Sequence, residues 1–83
     1  MTADEIRKAV LAALRAVAPE VEVFELDDEL ELQDQIEIDS LDTLNFVTEI
    51  HDRLGVSVPE ADYGKLRTVA GIVSYLGDAL RLG

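Results

Sequence analysis

Apolar residues recur at helical spacing in three stretches of this chain, and acidic, proline- or glycine-marked segments separate them. In the first stretch Ile6, Val10, Ala13, Leu14 and Val17 form one stripe. Thr2-Ala3-Asp4-Glu5 precedes it and fits a capping box, with Thr2 as cap and Glu5 reaching back. Asp4 and Glu5 also favour the positive end of the helix dipole. Pro19 stops the pattern, because the residue before a proline avoids the helical region. The spacing predicts a helix from about Asp4 to Val17. In the second stretch Leu41, Leu44, Val47, Ile50 and Leu54 give a stripe, widened by Phe46, with Asp42, Asn45, Glu49 and Asp52 on the other side. Gly55 is its natural C-terminal cap. In the third, Thr68 is placed to cap a helix striped by Val69, Ile72, Val73, Leu76 and Leu80. Gly71 and Gly77 weaken that helix by up to about 1 kcal/mol each against alanine, or else permit close helix contact. Between the second and third helices, Val56-Ser57-Val58-Pro59 reads as extended. Pro59 suits the first position of a short helix running to about Gly64.

The segment from Ala18 to Asp39 lacks such regularity. Acids crowd it, and Val21, Val23, Phe24, Leu26, Leu30, Leu32, Ile36 and Ile38 are threaded among them. Val21/Val23, Leu30/Leu32 and Ile36/Ile38 alternate with period two, which leaves open a set of short strands and an α+β domain. Acids are poor strand formers and no tight hairpin turn separates the patches. The favoured reading is a long loop with one helical turn near Leu30 to Asp34, pinned to the core by its apolar side chains. Long connections of this kind in small domains are often functional. The expected architecture is all-α: a small four-helix bundle of three main helices and one short one, with a long first loop, forming one domain over residues 1–83.

Composition narrows what such a bundle does. Eighteen acids against seven bases leave a formal charge of −11. That field repels nucleic acid and anionic lipid headgroups and attracts partners with basic patches. With no cysteine there is no disulfide staple. No apolar run reaches the roughly 20 residues of a membrane span, and the acidic N-terminus has no signal-peptide pattern. The expectation is a free-standing, monomeric, cytoplasmic protein.

Catalytic chemistry finds little support. The single histidine, His51, lies eleven residues after Ser40. On one helix that is about 16 Å at 1.5 Å per residue, too far for a Ser-His pair; His51 reads as a surface residue. One histidine and no cysteine exclude the usual zinc sets. Calcium-loop frames starting at Asp28 or Asp34 fail, with Gln33 at the turn glycine or Ile36 and Ile38 at ligand positions. No glycine-rich phosphate loop is present. No catalytic residue and no metal site is expected. What stands out is Ser40, between Asp39 and Asp42 at the head of the second helix. It is either the N-cap itself or, with Asp39 capping, a residue of the first turn with its hydroxyl free. A phosphate ester there would sit at the positive end of a helix.

At these residues the sequence resembles a known family. Asp39-Ser40-Leu41, followed by Asp42, looks like the phosphopantetheine attachment motif of acyl carrier proteins, and the likeness extends over essentially the whole chain. It implies that Ser40 is esterified with 4′-phosphopantetheine taken from coenzyme A. The terminal thiol of that arm would hold acyl groups as thioesters, in fatty acid, polyketide or related specialised biosynthesis. The protein would not itself be an enzyme. The implied partners are a phosphopantetheinyl transferase and acyl-transferring, acyl-activating or synthase enzymes with basic docking patches. By the same resemblance Asp39, Leu41, Asp42, Leu44, Asn45 and Asp52 would form the docking face, and Phe46, Val47, Ile50 and Ile72 would line a shelter for the acyl chain.

The sequence departs from the common family pattern at Glu37, Asn45, Thr48 and His51, where glycine, glutamate, an apolar residue and an acid are frequent. These departures point toward a specialised pathway. Two other readings stay open: an aminoacyl or peptidyl carrier of the same fold, and a non-carrier acidic module in which Ser40 merely caps a helix.

Overall fold

The computed structural model describes residues 1–82. Three long helices build it: α1 (Ala3–Val17), α3 (Ser40–Leu54) and α4 (Val69–Leu82), with a single turn, α2 (Leu32–Gln35), before α3. Two 3-10 segments complete the chain, Val23–Glu25 and Glu60–Lys65. No strand forms among the described residues, so the short period-two patches resolve into loop and turn.

Each long helix starts where a side chain replaces the missing backbone partners of its first turn. Thr2 and Glu5 form the reciprocal capping box of α1. The Thr68 hydroxyl accepts from the Gly71 N–H at 2.9 Å at the head of α4. At the end of α3, Gly55 takes the left-handed conformation with φ 71°, which costs a residue with a Cβ about 1–2 kcal/mol. Pro59 stands one residue before the Glu60–Lys65 segment, not inside it, and that segment is a 3-10 helix.

α1 packs against both α3 and α4. Val10, Ala13, Val69, Ile72, Leu76 and Ile50 are at most 1% exposed and form the centre of the core. Full burial of a Val, Ile or Leu contributes about 1.5–3 kcal/mol each, which suits a core with few aromatics. The expected stripe of α3 needs correction. Leu41 and Leu44 are 63% and 51% exposed, and the buried face is Phe46, Val47 and Ile50. Steps of three residues each fall about 60° short of a full turn at 3.6 residues per turn. Three such steps from Leu41 to Ile50 accumulate about half a turn, so the two residues face opposite ways.

The long first connection is tied down by tertiary bonds. Arg7 of α1 donates from Nε and Nη2 to the Asp28 carboxylate at 2.7 and 3.0 Å. The Asp28 carbonyl accepts from the Ala70 N–H at 3.0 Å, and the Arg67 carbonyl accepts from the Leu32 N–H at 2.8 Å. Within the loop, the Gln35 amide donates to the carbonyls of Asp27 and Leu30 at 3.0 and 3.1 Å, and its oxygen accepts from the Asp27 N–H at 2.8 Å. Val23 and Leu32 then insert into the core at 4% and 5% exposure. These bonds hold the segment that leads into α3. On the far side, the Tyr75 hydroxyl donates to Asp62 at 2.6 Å and fastens the Glu60–Lys65 segment to α4.

Candidate functional site

The head of α3 is organised by Asp39. Its backbone is extended, its carboxylate accepts from the Asp42 N–H at 2.8 Å, and its carbonyl accepts from the Thr43 N–H at 3.0 Å. Asp39 is therefore the N-cap, and Ser40 is the first helical residue. Of the two positions the sequence allows for this serine, the structure selects the one that frees its hydroxyl. Ser40 is exposed, and its Oγ has no hydrogen-bond partner among the described residues. Its backbone N–H and that of Leu41 are first-turn donors that no helical carbonyl can reach. An anion attached to the Ser40 oxygen would lie at the positive end of a fifteen-residue helix.

The surroundings are acidic, and among the described residues the ion pairs lie elsewhere. Arg7, Lys8, Arg53, Lys65, Arg67 and Arg81 pair with Asp28, Asp4, Glu49, Asp62, Glu31 and Asp78. None of these pairs includes Glu37, Asp39, Asp42 or Asp52. Asp39, Leu41, Leu44, Asn45 and Asp52 are exposed, and Asp42 is half-buried. The fold thus brings an open hydroxyl, carboxylates outside these ion pairs and two protruding leucines onto one helix. His51 lies exposed at the far end of α3, its Nδ1 3.2 Å from the Ser57 hydroxyl. Among the described residues no cluster of three or more His, Cys, Asp or Glu side chains is placed to hold a metal ion. No helix there is long and apolar enough to cross a membrane.

Beside the head of α3 lies a cavity of about 490 Å³, between α3 and the Glu60–Lys65 segment. Ile38 and Thr43, on either side of Ser40 in the chain, form part of its wall. Of the four residues expected to line such a space, Phe46 and Ile72 do so, whereas Val47 and Ile50 are buried elsewhere in the core. Leu14, Leu32, Thr43, Tyr63, Leu66 and Arg67 also line the cavity, beyond the residues the sequence pattern points to. The apolar threading at Leu32 and Ile38 was the available signal; nothing local marked Tyr63 or Arg67.

The chain is thus a helical domain with an exposed serine hydroxyl at the head of α3. Comparisons with known proteins identify its family. The family model described as "Phosphopantetheine attachment site" matches residues 4–76. The meromycolate extension acyl carrier protein of Mycolicibacterium aurum is 32% identical over 73 residues, covering 84% of this chain and 75% of that protein. The acyl carrier protein of Thermotoga maritima is 32% identical over 73 residues, covering 84% of this chain and 90% of its own length. That of Rhodococcus erythropolis is 33% identical over 73 residues, covering 84% and 80%. The chain belongs to the phosphopantetheine-binding acyl carrier protein family. Its cofactor is 4′-phosphopantetheine, and its role is to carry, not to catalyse.

Proposed function

We propose that this protein is an acyl carrier in fatty acid, polyketide or related specialised biosynthesis, and that the Ser40 oxygen is the point of attachment of 4′-phosphopantetheine. The observation that carries this reading is the released hydroxyl of Ser40: Asp39 takes over the capping, so nothing in the fold uses the serine. The site fits the group. The side chain is a nucleophilic alcohol, it is exposed, and first-turn N–H groups beside it favour a phosphodiester. When bound, the group supplies the thiol that holds the acyl cargo.

Asp39, Leu41, Asp42, Leu44, Asn45 and Asp52 receive partner enzymes. Carboxylates outside the ion pairs steer a basic surface toward the helix, and Leu41 and Leu44 provide apolar contact once it arrives. A phosphopantetheinyl transferase is the first such partner, and synthase or acyl-transferring enzymes follow. The cavity lined by Phe46 and Ile72 shelters part of the acyl chain from water.

Intact mass after incubation with coenzyme A and a broad-specificity phosphopantetheinyl transferase tests the attachment. The wild type gains one phosphopantetheine and Ser40→Ala gains none. Because Asp39 does the capping, Ser40→Ala keeps its helical circular dichroism, and its unfolding midpoint stays close to that of the wild type. No mass gain on folded wild-type protein with several transferases would leave the acidic interaction module as the better reading.

A further inference from the structure

The cavity beside Ser40 has two unlike walls. Leu14, Leu32, Phe46 and Ile72, each at most 6% exposed, make one of them. Glu31, Gln33, Thr43, Tyr63 and Arg67 make the other. Of the acceptors on this polar wall, the carboxylate is already engaged. The Glu31 carboxylate pairs with the Arg67 guanidinium and accepts from Gln33 Nε2 at 3.2 Å. The donors are less fully used. The half-buried Tyr63 has no hydrogen-bond partner for its hydroxyl among the described residues. Arg67 has five N–H groups and meets a single carboxylate.

A saturated chain drawn into this space gains contact along the apolar wall. It also strips water from the half-buried Tyr63 hydroxyl, and to a lesser degree from Arg67, whose side chain is 65% exposed, without returning a hydrogen bond, and stranded polar groups oppose burial. A ketone oxygen on the chain removes that penalty, because it only accepts and the wall has donors to spare. In a 3-oxoacyl group the ketone lies two carbons from the thioester carbonyl, so the thioester end of the cargo meets the polar wall and the hydrocarbon tail lies against Phe46 and Ile72. Resting on the reading that Ser40 bears the arm, we propose that the cavity selects 3-oxoacyl cargo over saturated cargo of the same length, with Tyr63 and Arg67 as the specificity-determining residues.

The test transfers octanoyl- and 3-oxooctanoyl-phosphopantetheine from their coenzyme A thioesters onto Ser40 and confirms loading by mass. Thiol exchange with N-acetylcysteamine is then timed for each loaded protein, and each rate is divided into that of the matching free pantetheine thioester. The ratio measures protection and cancels the intrinsic reactivity of the two thioesters. The 3-oxo cargo is protected about threefold to tenfold more than octanoyl, the range a single net hydrogen bond gives. Tyr63→Phe and Arg67→Gln each shrink that difference, and the side-chain NMR signals of Tyr63 and Ile72 shift more with 3-oxooctanoyl than with octanoyl. Equal protection, or better protection of octanoyl, in the wild type overturns the selectivity while leaving the carrier reading intact. Failure of both groups to load on folded protein overturns the carrier reading and this inference with it.

Discussion

The Asp39 carboxylate accepts a hydrogen bond from the Asp42 backbone N–H at 2.8 Å, and the Asp42 carboxylate accepts one from the Asp39 N–H at 3.4 Å. The two acids that flank Ser40 are thus also the reciprocal cap of the helix that presents it. A charge meant for a partner and a bond needed by the fold reside in the same groups.

Asparagine separates the two roles, because it caps about as well as aspartate but carries no charge. Asp39→Asn is expected to stay within about 0.5 kcal/mol of the wild type, and Asp39→Ala to lose about 1 kcal/mol, both read from urea unfolding. Both variants slow modification by the transferase at low salt, since both remove a carboxylate the partner meets. If Asp39→Asn is modified at the wild-type rate at low ionic strength, Asp39 serves the helix alone.

Leu41 and Leu44 test the outward face of α3. At 63% and 51% exposure they bury little, so Leu41→Ser or Leu44→Ser changes stability by about 0.5 kcal/mol or less, the range of ordinary surface substitutions. Ile50, at 1% exposure, is the control, and Ile50→Ala costs about 2–5 kcal/mol. Surface plasmon resonance against a partner enzyme should show weaker binding for both serine variants at unchanged fold. Binding equal to wild type would mean that the leucines are bystanders.

The contrast between these leucines and Ile50 also marks where sequence reading stopped. Capping residues were legible because their signals are local: Thr2 with Glu5, Thr68, Gly55 and Pro19 each act within a few residues. So was the position of Ser40 near a helix head. The inward side of α3 was not legible, because apolar residues at 41, 44, 46, 47, 50 and 54 support two overlapping stripes. Packing against α1 decides between them. The loop at Asp28 and the turn at Leu32–Gln35 are tied by bonds from Arg7, Arg67 and Ala70, residues far off in the chain. No window of local periodicity contains that information. The polar wall of the cavity is hidden for the same reason, since it joins Glu31 and Gln33 to Thr43, Tyr63 and Arg67 only in three dimensions.

Acid should loosen the loop and the Glu60–Lys65 segment first. The Arg7 hydrogen bonds hold the Asp28 carboxyl below its ordinary range, and the Tyr75 hydroxyl does the same for Asp62, with Lys65 adding to the pull. A lowered folded-state pKa contributes stability that is complete above the unfolded value and is lost as pH falls through the folded one. That loss sets in as pH drops below about 4, the usual aspartate value. Asp28→Asn and Tyr75→Phe forfeit the respective contribution at neutral pH already, so their urea midpoints fall less steeply between about pH 5 and 3. Comparing variants cancels most of the opposing effect, the relief of self-repulsion as the unpaired acids take up protons. Parallel curves for all three proteins would show that these pairs do not set the acid limb.

The two glycines of α4 should respond oppositely to alanine. A Cβ at Gly77 would meet only Ile6 Cδ1, at 3.8 Å, an ordinary contact. Gly77→Ala therefore gains helix propensity at no steric cost and is expected to stabilise by up to about 1 kcal/mol. A Cβ at Gly71 would lie 3.0 Å from Thr68 Oγ1 and 3.4 Å from the Lys65 carbonyl. That hydroxyl cannot swing away freely, because it caps α4 by accepting from the Gly71 N–H at 2.9 Å. Moving it gives up a cap worth about 1 kcal/mol, which offsets or exceeds the propensity gain. Gly71→Ala should be neutral to destabilising, and the double variant Thr68→Ala/Gly71→Ala should recover the propensity gain relative to Thr68→Ala alone. Thermal unfolding of the wild type, the two single variants and the double variant forms a double-mutant cycle. A coupling energy near zero would show that Gly71 is tolerated at that position and not required by the cap.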